Sequence, residues 1–356
     1  MRILIDIGHP AHVHLFKHFA HEMIRKGHKI HFTVRKKEFE IDLLKQEGFD
    51  YTIIGDHYKL KIGKIWGLFK FTFLVFTTAI KFKPDLFLSH GSMYNAIASF
   101  FLGKPNIALE DTGNWEQVRL YLPFTKAVLT STSFTANYDY KQVYYEGYHE
   151  LAYLHPNYFK PDKSILTDLG IKENEKYFIL RFVSWDATHD IRQVGINIEI
   201  KRQLINLLRQ HGKVYISSES KLHSEFELYR FLLPPDKMHD ALAFADLYVG
   251  EGTTMASECA VLGTPAVYVN SLQRGYTTEQ EKKYGLVFNF INGNGVVDKV
   301  DELISNPELK NKCKEAHSKL LSEKIDVTAF LVWFIENWPE SFRIIKENPD
   351  YQCNFK

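Results

Sequence analysis

The sequence predicts an α/β protein whose two halves each repeat the pattern of a parallel sheet with crossover helices. Short apolar, strand-like segments alternate with helical stretches in both halves, and a turn-rich segment separates the two alternations. At 356 residues the chain is also longer than one compact core usually holds. Together these observations predict two Rossmann-like domains that face each other across a cleft.

The first half of the chain alternates strand-like and helical segments from its start. The predicted strands of this half lie at 3–7, 29–34, 86–89, 106–109 and 127–130. From 143 to 162 the alternation gives way to Gly-, Pro- and Tyr-containing turns, which are typical of a linker. We therefore predict an N-terminal domain over residues 1–150.

A second alternation begins after this segment. Its predicted strands lie at 177–181, 213–217, 247–249 and 266–269, with helical segments such as 197–210 between them. The last segment, 326–356, is helical in pattern and is broken near Pro339. We predict a C-terminal domain over residues 151–325, followed by terminal helices.

The bulk composition argues against several classes of protein. Lys and Arg number 44 against 43 Asp and Glu, so the formal net charge of +1 gives no reason to expect a nucleic-acid partner. Cys259, Cys313 and Cys353 are odd in number and widely spaced, which argues against a disulfide framework and a cysteine zinc site. The N-terminus lacks the pattern of a secretory signal, so we expect a cytoplasmic protein.

The most informative segment, in the second predicted domain, reads as a strand, a glycine turn, a helix and another strand. Gly250 and Gly252 let the backbone approach a ligand closely, and the start of the following helix favours an anion such as phosphate. Thr253 and Thr254 begin that helix, and Glu258 lies a turn further on, where a carboxylate can accept hydrogen bonds from sugar hydroxyls. The segment therefore predicts a nucleotide-sugar site.

The order of glycine turn, glutamate and the later Gly263-Thr264-Pro265 resembles the donor-binding motif of GT-B glycosyltransferases, particularly the N-acetylglucosaminyltransferase that makes lipid II. It also resembles that of non-hydrolysing UDP-N-acetylglucosamine 2-epimerases. The resemblance implies that the Gly-Thr turn faces a diphosphate and that Glu258 holds the ribose. It further implies that Met238 lies in a segment that walls the base, and that the terminal helices cross back to the first domain.

Most of the chain, including residues 6–12 and 145–154, is similar to a poorly characterised family of predicted GT-B transferases. The dinucleotide fingerprint G-x-G-x-x-G does not follow the first strand, and no Walker A sequence occurs. A conventional NAD-binding half is therefore not expected.

A histidine-rich loop, His9 to His14, follows the first predicted strand. Histidine is the natural general base near neutral pH, and a strand exit places it in the predicted cleft. The lipid II-forming enzyme carries a Gly-rich turn followed by His-Val at this place, so the resemblance implies that His12 is the catalytic base. His9 and His14 are further acceptor-side candidates. For all three histidines the alternative is that they cap or line the helix.

Two further strand exits of the first domain carry polar residues. His90 and Ser92 lie on a turn that can present N–H groups to an acceptor. Glu110 can supply a carboxylate base, or it can serve as a loop carboxylate or helix cap. The epimerases carry an acidic residue where Ser92 stands, so the resemblance to them is weaker here.

In the second domain, Arg181 ends the first predicted strand and Ser184 follows it. Arginine binds phosphate through two parallel donors, so both residues are predicted donor ligands, with a carboxylate partner for Arg181 as the alternative. The Asp-x-Asp motif by which GT-A transferases hold a divalent cation is absent. We therefore expect no metal and no cofactor besides the donor substrate.

Residues 59–83 combine six lysines with a run of large apolar side chains. This composition suits peripheral contact with an anionic membrane surface, and the alternative is a buried crossover helix with lysines at its ends. The apolar run is too short to predict a transmembrane helix. Exposure of this segment would favour a lipid-linked glycan acceptor.

The leading interpretation is a metal-independent GT-B glycosyltransferase that moves a sugar from a UDP-linked donor to a hydroxyl acceptor in cell-surface glycan synthesis. The first alternative is a nucleotide-sugar 2-epimerase. The second is a protein that binds nucleotide sugars without catalysis.

Overall fold

In the computed structural model the chain forms two compact units. The first comprises Met1–Tyr153 with Ile325–Lys356, and the second Leu154–Lys324. The structure describes residues 1–37, 39–56, 61–182, 195–218 and 222–356, and of 61–65 it describes the backbone alone. The predicted α/β class is confirmed, because each unit is built on a parallel sheet with helices between its strands.

Seven strands form the sheet of the first unit. They are β1 (Arg2–Ile7), β2 (Lys29–Lys36), β3 (Tyr51–Asp56), β4 (Leu86–His90), β5 (Asn106–Leu109), β6 (Ala127–Ser131) and β7 (Gln142–Tyr145). The spatial order is β3-β2-β1-β4-β5-β6-β7, and every neighbouring pair is parallel. The strand order reverses between β1 and β4, and in open parallel sheets the carboxyl ends at such a point are where ligands bind.

Helices connect the strands of the first unit. They are α1 (Pro10–Arg25), α2 (Glu40–Gln46), α3 (Lys61–Phe82), α4 (Met93–Phe101), α5 (Trp115–Tyr121) and the short α6 (Leu151–Leu154). The side chains of β1 and β4 are almost fully buried, as expected for central strands of a sheet covered on both faces. The sheet therefore holds the residues that follow these strands in fixed positions.

The second unit has a five-stranded parallel sheet. Its elements are α7 (Ser164–Asp168), β8 (Tyr177–Phe182), α8 (Ile198–Leu208), β9 (Lys213–Ser218), α9 (Met238–Phe244), β10 (Leu247–Gly250), α10 (Thr253–Leu262), β11 (Ala266–Val269), α11 (Gly275–Glu279), β12 (Val287–Phe290), α12 (Val296–Ser305) and α13 (Leu309–Glu323). The strand order is β12-β11-β10-β8-β9. Gly263 ends α10 with φ of 83°, a left-handed conformation that glycine adopts without strain.

The C-terminal residues fold with the first unit. They form α14 (Val327–Glu336) and α15 (Glu340–Glu347). The backbone N–H of Ile325 donates to the carbonyl of Glu146 at 2.9 Å, and Glu336 accepts from His28 Nε2 at 2.8 Å. These contacts join the end of the chain to two parts of the first unit, residue 28 before β2 and residue 146 after β7.

The interpretation of 143–162 as a linker is wrong for the first part of that segment. Strand β7 runs to Tyr145 and α6 follows at Leu151, and the tyrosines at 145 and 148 are 1% exposed. The sequence also gave no signal strong enough to predict β3 or β12. All three strands lie at sheet edges, and the half-exposed residues of β3 and β12 dilute their apolar pattern.

Candidate functional site

Among the described residues, no side chain caps the first backbone N–H groups of α10. Gly252 occupies the N-cap position, and no side chain among the described residues supplies the usual capping bond. The helix continues for 10 residues, so its dipole places partial positive charge at this end. This arrangement suits an anionic group such as a diphosphate.

The similar-looking turn that begins α4 in the first unit is different. Ser92 caps α4 by accepting a hydrogen bond from Asn95 N at 3.3 Å, and Ser92 N itself donates to Ser89 Oγ at 3.2 Å. These N–H groups already have partners within the turn. Of the two turns that the sequence suggests for anion binding, α10 retains the better donors.

Gly250 is required by close packing at the end of β10. A β-carbon added there would lie 2.4 Å from the Tyr248 hydroxyl and 2.8 Å from Arg181 Cβ. Arg181 is its register partner on the neighbouring strand β8. Gly250 therefore allows Arg181 to pack directly beside the glycine turn.

Arg181 and Ser184 were both predicted to bind the donor. Arg181 is partly exposed, and its Nη1 donates to Ser217 Oγ at 2.7 Å at the end of β9. Ser184 lies outside the described residues. The structure thus places one of the two at the carboxyl edge of the second sheet, close to the start of α10.

The two threonines at the start of α10 have different surroundings. The Thr253 hydroxyl lies 2.6 Å from the Tyr268 hydroxyl, which in turn donates to the carbonyl of Leu272 at 3.1 Å. Thr253 is therefore committed to a contact within the unit, whereas Thr254 is exposed. Of the pair, Thr254 is the residue whose hydroxyl suits an incoming ligand.

Glu258 lies on the second turn of α10 and is 5% exposed. Its Oε1 is 3.0 Å from Nε2 of His239, the second residue of α9, which begins at the predicted site residue Met238. The sequence placed α9 near the base but did not single out His239. Because the two residues are 19 positions apart, only the packing of α9 on α10 could reveal the pair.

Glu251, inside the glycine turn, is a second polar residue that the sequence did not single out. It is 1% exposed and its Oε1 accepts from the backbone N–H of Ile196 at 2.6 Å. Its carbonyl accepts from Asn270 Nδ2 at 3.2 Å. Glu251 therefore ties the turn to two neighbouring segments and holds its shape.

Four titratable residues meet at the carboxyl edge of the first sheet. His90 ends β4, Asp111 follows β5, His149 follows β7, and His12 lies in the first turn of α1. His90 Nε2 is 2.9 Å from Asp111 Oδ1, and His149 Nδ1 is 3.5 Å from Asp111 Oδ2. The His12 ring centroid lies 4.6 Å from that of His90. We call these four residues the His12 cluster.

Charge and burial set the protonation of the His12 cluster. Burial lowers the pKa of His90, but the charge and hydrogen bond of Asp111, together with the charge of Glu110 and a backbone hydrogen bond, outweigh burial and raise this pKa to about 9. Burial likewise raises the pKa of Asp111, whereas the charges of His90 and His149 hold it well below its usual range. The cluster therefore contains an imidazolium–carboxylate pair at neutral pH.

His12 is held neutral by the same surroundings. Burial, followed by the nearby charges of His90 and His9, lowers the pKa of His12 well below its usual value. Its Nδ1 accepts a hydrogen bond from Gly8 N at 3.3 Å, which favours the tautomer with the ring proton on Nε2. In this tautomer the neutral His12 can donate a proton from Nε2, and it can accept one at Nε2 only after the ring hydrogen has moved to Nδ1.

The other predicted histidines have local roles. His9 caps α1, because its Nδ1 accepts from Ala11 N at 3.2 Å and Pro10 occupies the first helical position. The ring of His14 packs 5.5 Å from that of Tyr153. These contacts favour the alternative that the sequence left open, in which both residues cap or line the helix.

Glu110 is buried, with 3% of its surface exposed. Its Oε1 accepts from the backbone N–H groups of Thr112 and Gly113 and from the Thr112 hydroxyl, and its Oε2 accepts from the Tyr121 hydroxyl. Burial and then the Glu110 charge raise the pKa of Tyr121, which keeps this hydroxyl protonated. Because four donors already bond to its carboxylate, Glu110 is poorly suited to act as a base. These contacts favour the alternative in which it is a loop carboxylate.

Ser92 is hydrogen-bonded to the carboxylate of Asp6, a contact that the sequence does not predict because the two residues are 86 positions apart. Its hydroxyl donates to Asp6 Oδ2 at 2.6 Å, and Thr33 donates to Asp6 Oδ1 at 2.6 Å. Burial raises the pKa of Asp6, and the charge of Arg35 partly offsets this effect. Position 92 itself is therefore not acidic, but the carboxylate of Asp6 is in direct contact with its side chain.

One group of residues in the described part of the chain offers ligand atoms suited to a metal ion. Ligand atoms of His90, Asp111 and His149 lie within 4.8 Å of one another. Imidazole nitrogen and carboxylate oxygen are ligands for divalent transition metals. The same three residues are joined without a metal by the ion pairs described above.

A family model described as "Protein of unknown function (DUF354)" matches residues 1–282. The chain belongs to this family. No curated protein sequence matches it.

Solved structures share the fold at low sequence identity. MnaA of S. aureus, in a co-structure with UDP, is 12% identical, with a TM-score of 0.69 and coverage of 96% of this chain and 97% of that one. The UDP-GlcNAc 2-epimerase of Neisseria meningitidis, bound to UDP-GlcNAc, is 12% identical, with a TM-score of 0.62 and coverage of 90% and 100%.

The glycosyltransferase SsfS6 of Streptomyces sp. SF2575, complexed with thymidine diphosphate, is 13% identical, with a TM-score of 0.61 and coverage of 94% and 99%. These likenesses show that the family member described here has the fold shared by GT-B glycosyltransferases and UDP-GlcNAc 2-epimerases. The resemblance drawn from the sequence is thereby confirmed. The reaction must be argued from the site, since one fold hosts many functions.

Proposed function

We propose that the protein transfers a sugar from a nucleotide diphosphate sugar, UDP-linked, to a hydroxyl acceptor in cell-surface glycan synthesis. The main support for this proposal is the start of α10, where N–H groups that no described side chain caps are followed one turn later by Glu258. The fold neighbours include a glycosyltransferase with thymidine diphosphate and proteins with UDP or UDP-GlcNAc.

In this proposal the second unit binds the donor. The diphosphate lies at the N–H groups of Gly252, Thr253 and Thr254, where the helix dipole opposes its charge, and Arg181 adds a cation from the neighbouring strand. Glu258, positioned by His239, accepts hydrogen bonds from the ribose hydroxyls. These groups offset the charge of the leaving diphosphate without a metal ion.

The first unit supplies the base. The acceptor hydroxyl gives its proton to Nε2 of neutral His12, its oxygen forms a bond to the anomeric carbon, and the bond from that carbon to the diphosphate oxygen breaks. The nucleoside diphosphate leaves with the electron pair. To accept the proton, His12 must carry its ring hydrogen on Nδ1, so the 3.3 Å contact from Gly8 N is released.

A thermal-shift screen of nucleotides and nucleotide sugars tests donor binding. We expect one UDP-sugar to raise the melting temperature of wild type and to have a smaller effect on Glu258→Gln. Glu315→Gln is the matched control, because Glu315 is exposed on α13 of the same unit. The sugar selected is then offered with hydroxyl acceptors, and UDP release is measured. No shift with any nucleotide would contradict the proposal.

The contact between Ser92 and Asp6 favours a 2-epimerase as the second candidate. It supplies a buried carboxylate, 2.6 Å from the Ser92 hydroxyl, at the place where the epimerases carry an acid. An epimerase converts the nucleotide sugar without any acceptor. Appearance of an epimeric nucleotide sugar in an NMR assay without acceptor would therefore favour this candidate, and its absence, together with transfer, would favour the transferase.

A further inference from the structure

One side of α3 is apolar because it is buried in the first unit. Phe71, Val75 and Ala79 follow one another at intervals of four residues, and all three are buried. They pack with Tyr94 and Ala98 of α4 in one apolar cluster. Burial of this side of the helix accounts for part of the apolar run seen in the sequence.

The opposite side of α3 is also apolar but is exposed. Trp66, Phe69 and Phe73 are 64%, 67% and 64% exposed, and Ile80 is 50% exposed. The intervals of 3, 4 and 7 residues place all four on one face, whose centre lies about 150° around the helix from that of the buried side. An amphipathic helix of a water-soluble fold would carry polar residues there, so this second apolar face requires its own explanation.

The neighbouring helix α4, which packs beside α3, carries further exposed apolar side chains. Phe100 and Phe101, at the C-terminal end of α4, are 59% and 70% exposed. We call the set Trp66, Phe69, Phe73, Ile80, Phe100 and Phe101 the α3–α4 face. It gathers six of the exposed large apolar side chains of the described chain on two neighbouring helices.

The charged residues of α3 are all basic, and α4 has no charged residue. Neither α3 nor α4 contains an aspartate or glutamate. Exposed lysines border the face at positions 70, 81, 83 and 104. A cationic border around apolar aromatic side chains complements an anionic lipid surface, where each lysine contributes roughly fivefold in affinity.

From this combination we propose that the α3–α4 face docks the first unit onto the surface of an anionic bilayer. The contact is peripheral, because no helix in the described part of the chain is long and apolar enough to cross a membrane. α3 lies parallel to the surface, with its aromatic residues at the level of the lipid headgroups and its lysines on the phosphates. A second copy of the chain is a poorer occupant, since two lysine-bordered faces would repel each other.

The test is sedimentation of the full chain with vesicles of phosphatidylcholine alone or mixed with phosphatidylglycerol. The test variant is Trp66→Ala/Phe69→Ala/Phe73→Ala, which removes exposed side chains and leaves the buried face intact. The matched control is Leu228→Ala/Leu232→Ala/Ile291→Ala, which removes three exposed apolar residues from the second unit, where they are 76%, 84% and 61% exposed. Circular dichroism verifies that both triple variants remain folded.

We expect wild type and control to sediment with the anionic vesicles, and the test variant to bind at least about tenfold more weakly. Added salt should weaken wild-type binding, because it screens the lysines. Equal binding by wild type and test variant would overturn the proposal, and so would equal binding to neutral and anionic vesicles. A wild-type mass above the 41.5 kDa of one chain that the test variant abolishes would assign the face to self-association instead.

Discussion

Replacing Glu258 by Gln changes the donor site with little change in shape. The carboxylate charge is lost, whereas the amide oxygen remains able to accept a hydrogen bond. In the structure Oε1 already contacts His239 at 3.0 Å, so we count one charged hydrogen bond to a ribose hydroxyl. A hydrogen bond to a charged group contributes about 1.5–3 kcal/mol and a neutral one about 0.5–1.5 kcal/mol. The expected loss is therefore about 1–2 kcal/mol.

At 1.4 kcal/mol per tenfold, this loss weakens UDP binding by roughly 5-fold to 30-fold. Isothermal titration calorimetry of UDP against wild type, Glu258→Gln and the exposed control Glu315→Gln measures the effect. We expect His239→Gln to weaken binding less, since His239 acts on the ligand only through Glu258. Equal affinity of Glu258→Gln and wild type would refute the assignment of Glu258 to the ribose.

Three further predictions test other parts of the account. Gly250→Ala places a β-carbon 2.4 Å from the Tyr248 hydroxyl, so urea unfolding should show a loss of about 1–3 kcal/mol; unchanged stability would contradict the packing argument. Because His90 has its pKa raised from 6.5 to about 9, its stabilising contribution is complete below pH 6.5 and is lost as the pH rises through 9. The stability difference between wild type and His90→Gln should therefore shrink over that range, and a constant difference would contradict the ion pair with Asp111. EDTA should leave UDP binding and sugar transfer unchanged; a loss of transfer restored by zinc would instead assign metal binding to His90, Asp111 and His149.

The donor motif could be predicted from the sequence because its parts are contiguous. Gly250, Gly252 and Glu258 lie within nine residues on one strand, turn and helix, so local periodicity was enough to order them. The partner of Glu258 could not be predicted in this way. His239 reaches it only because α9 packs on α10, and helix packing leaves no mark at a fixed spacing in the sequence.

The His12 cluster was predicted only in part for the same reason. Position at a strand exit singled out His12 and His90, but the strand order that brings Asp111 and His149 beside them is a property of the whole sheet. His149 was further concealed because its segment was interpreted as a linker. The two turns also differ at the N-cap, where α4 has Ser92 and α10 has Gly252, but the structure was needed to show that the Ser92 side chain accepts the capping hydrogen bond.

The most direct test of the central claim is hydrogen–deuterium exchange of the full chain with and without the UDP-sugar selected by thermal shift. If the diphosphate lies on the uncapped turn of α10, amides from Gly252 to Met255 should gain protection when the ligand binds. The self-capped turn of α4 from Ser92 to Asn95 should exchange as before and provides an internal control. Protection at α4 with none at α10 would contradict the account and would place the nucleotide on the first unit.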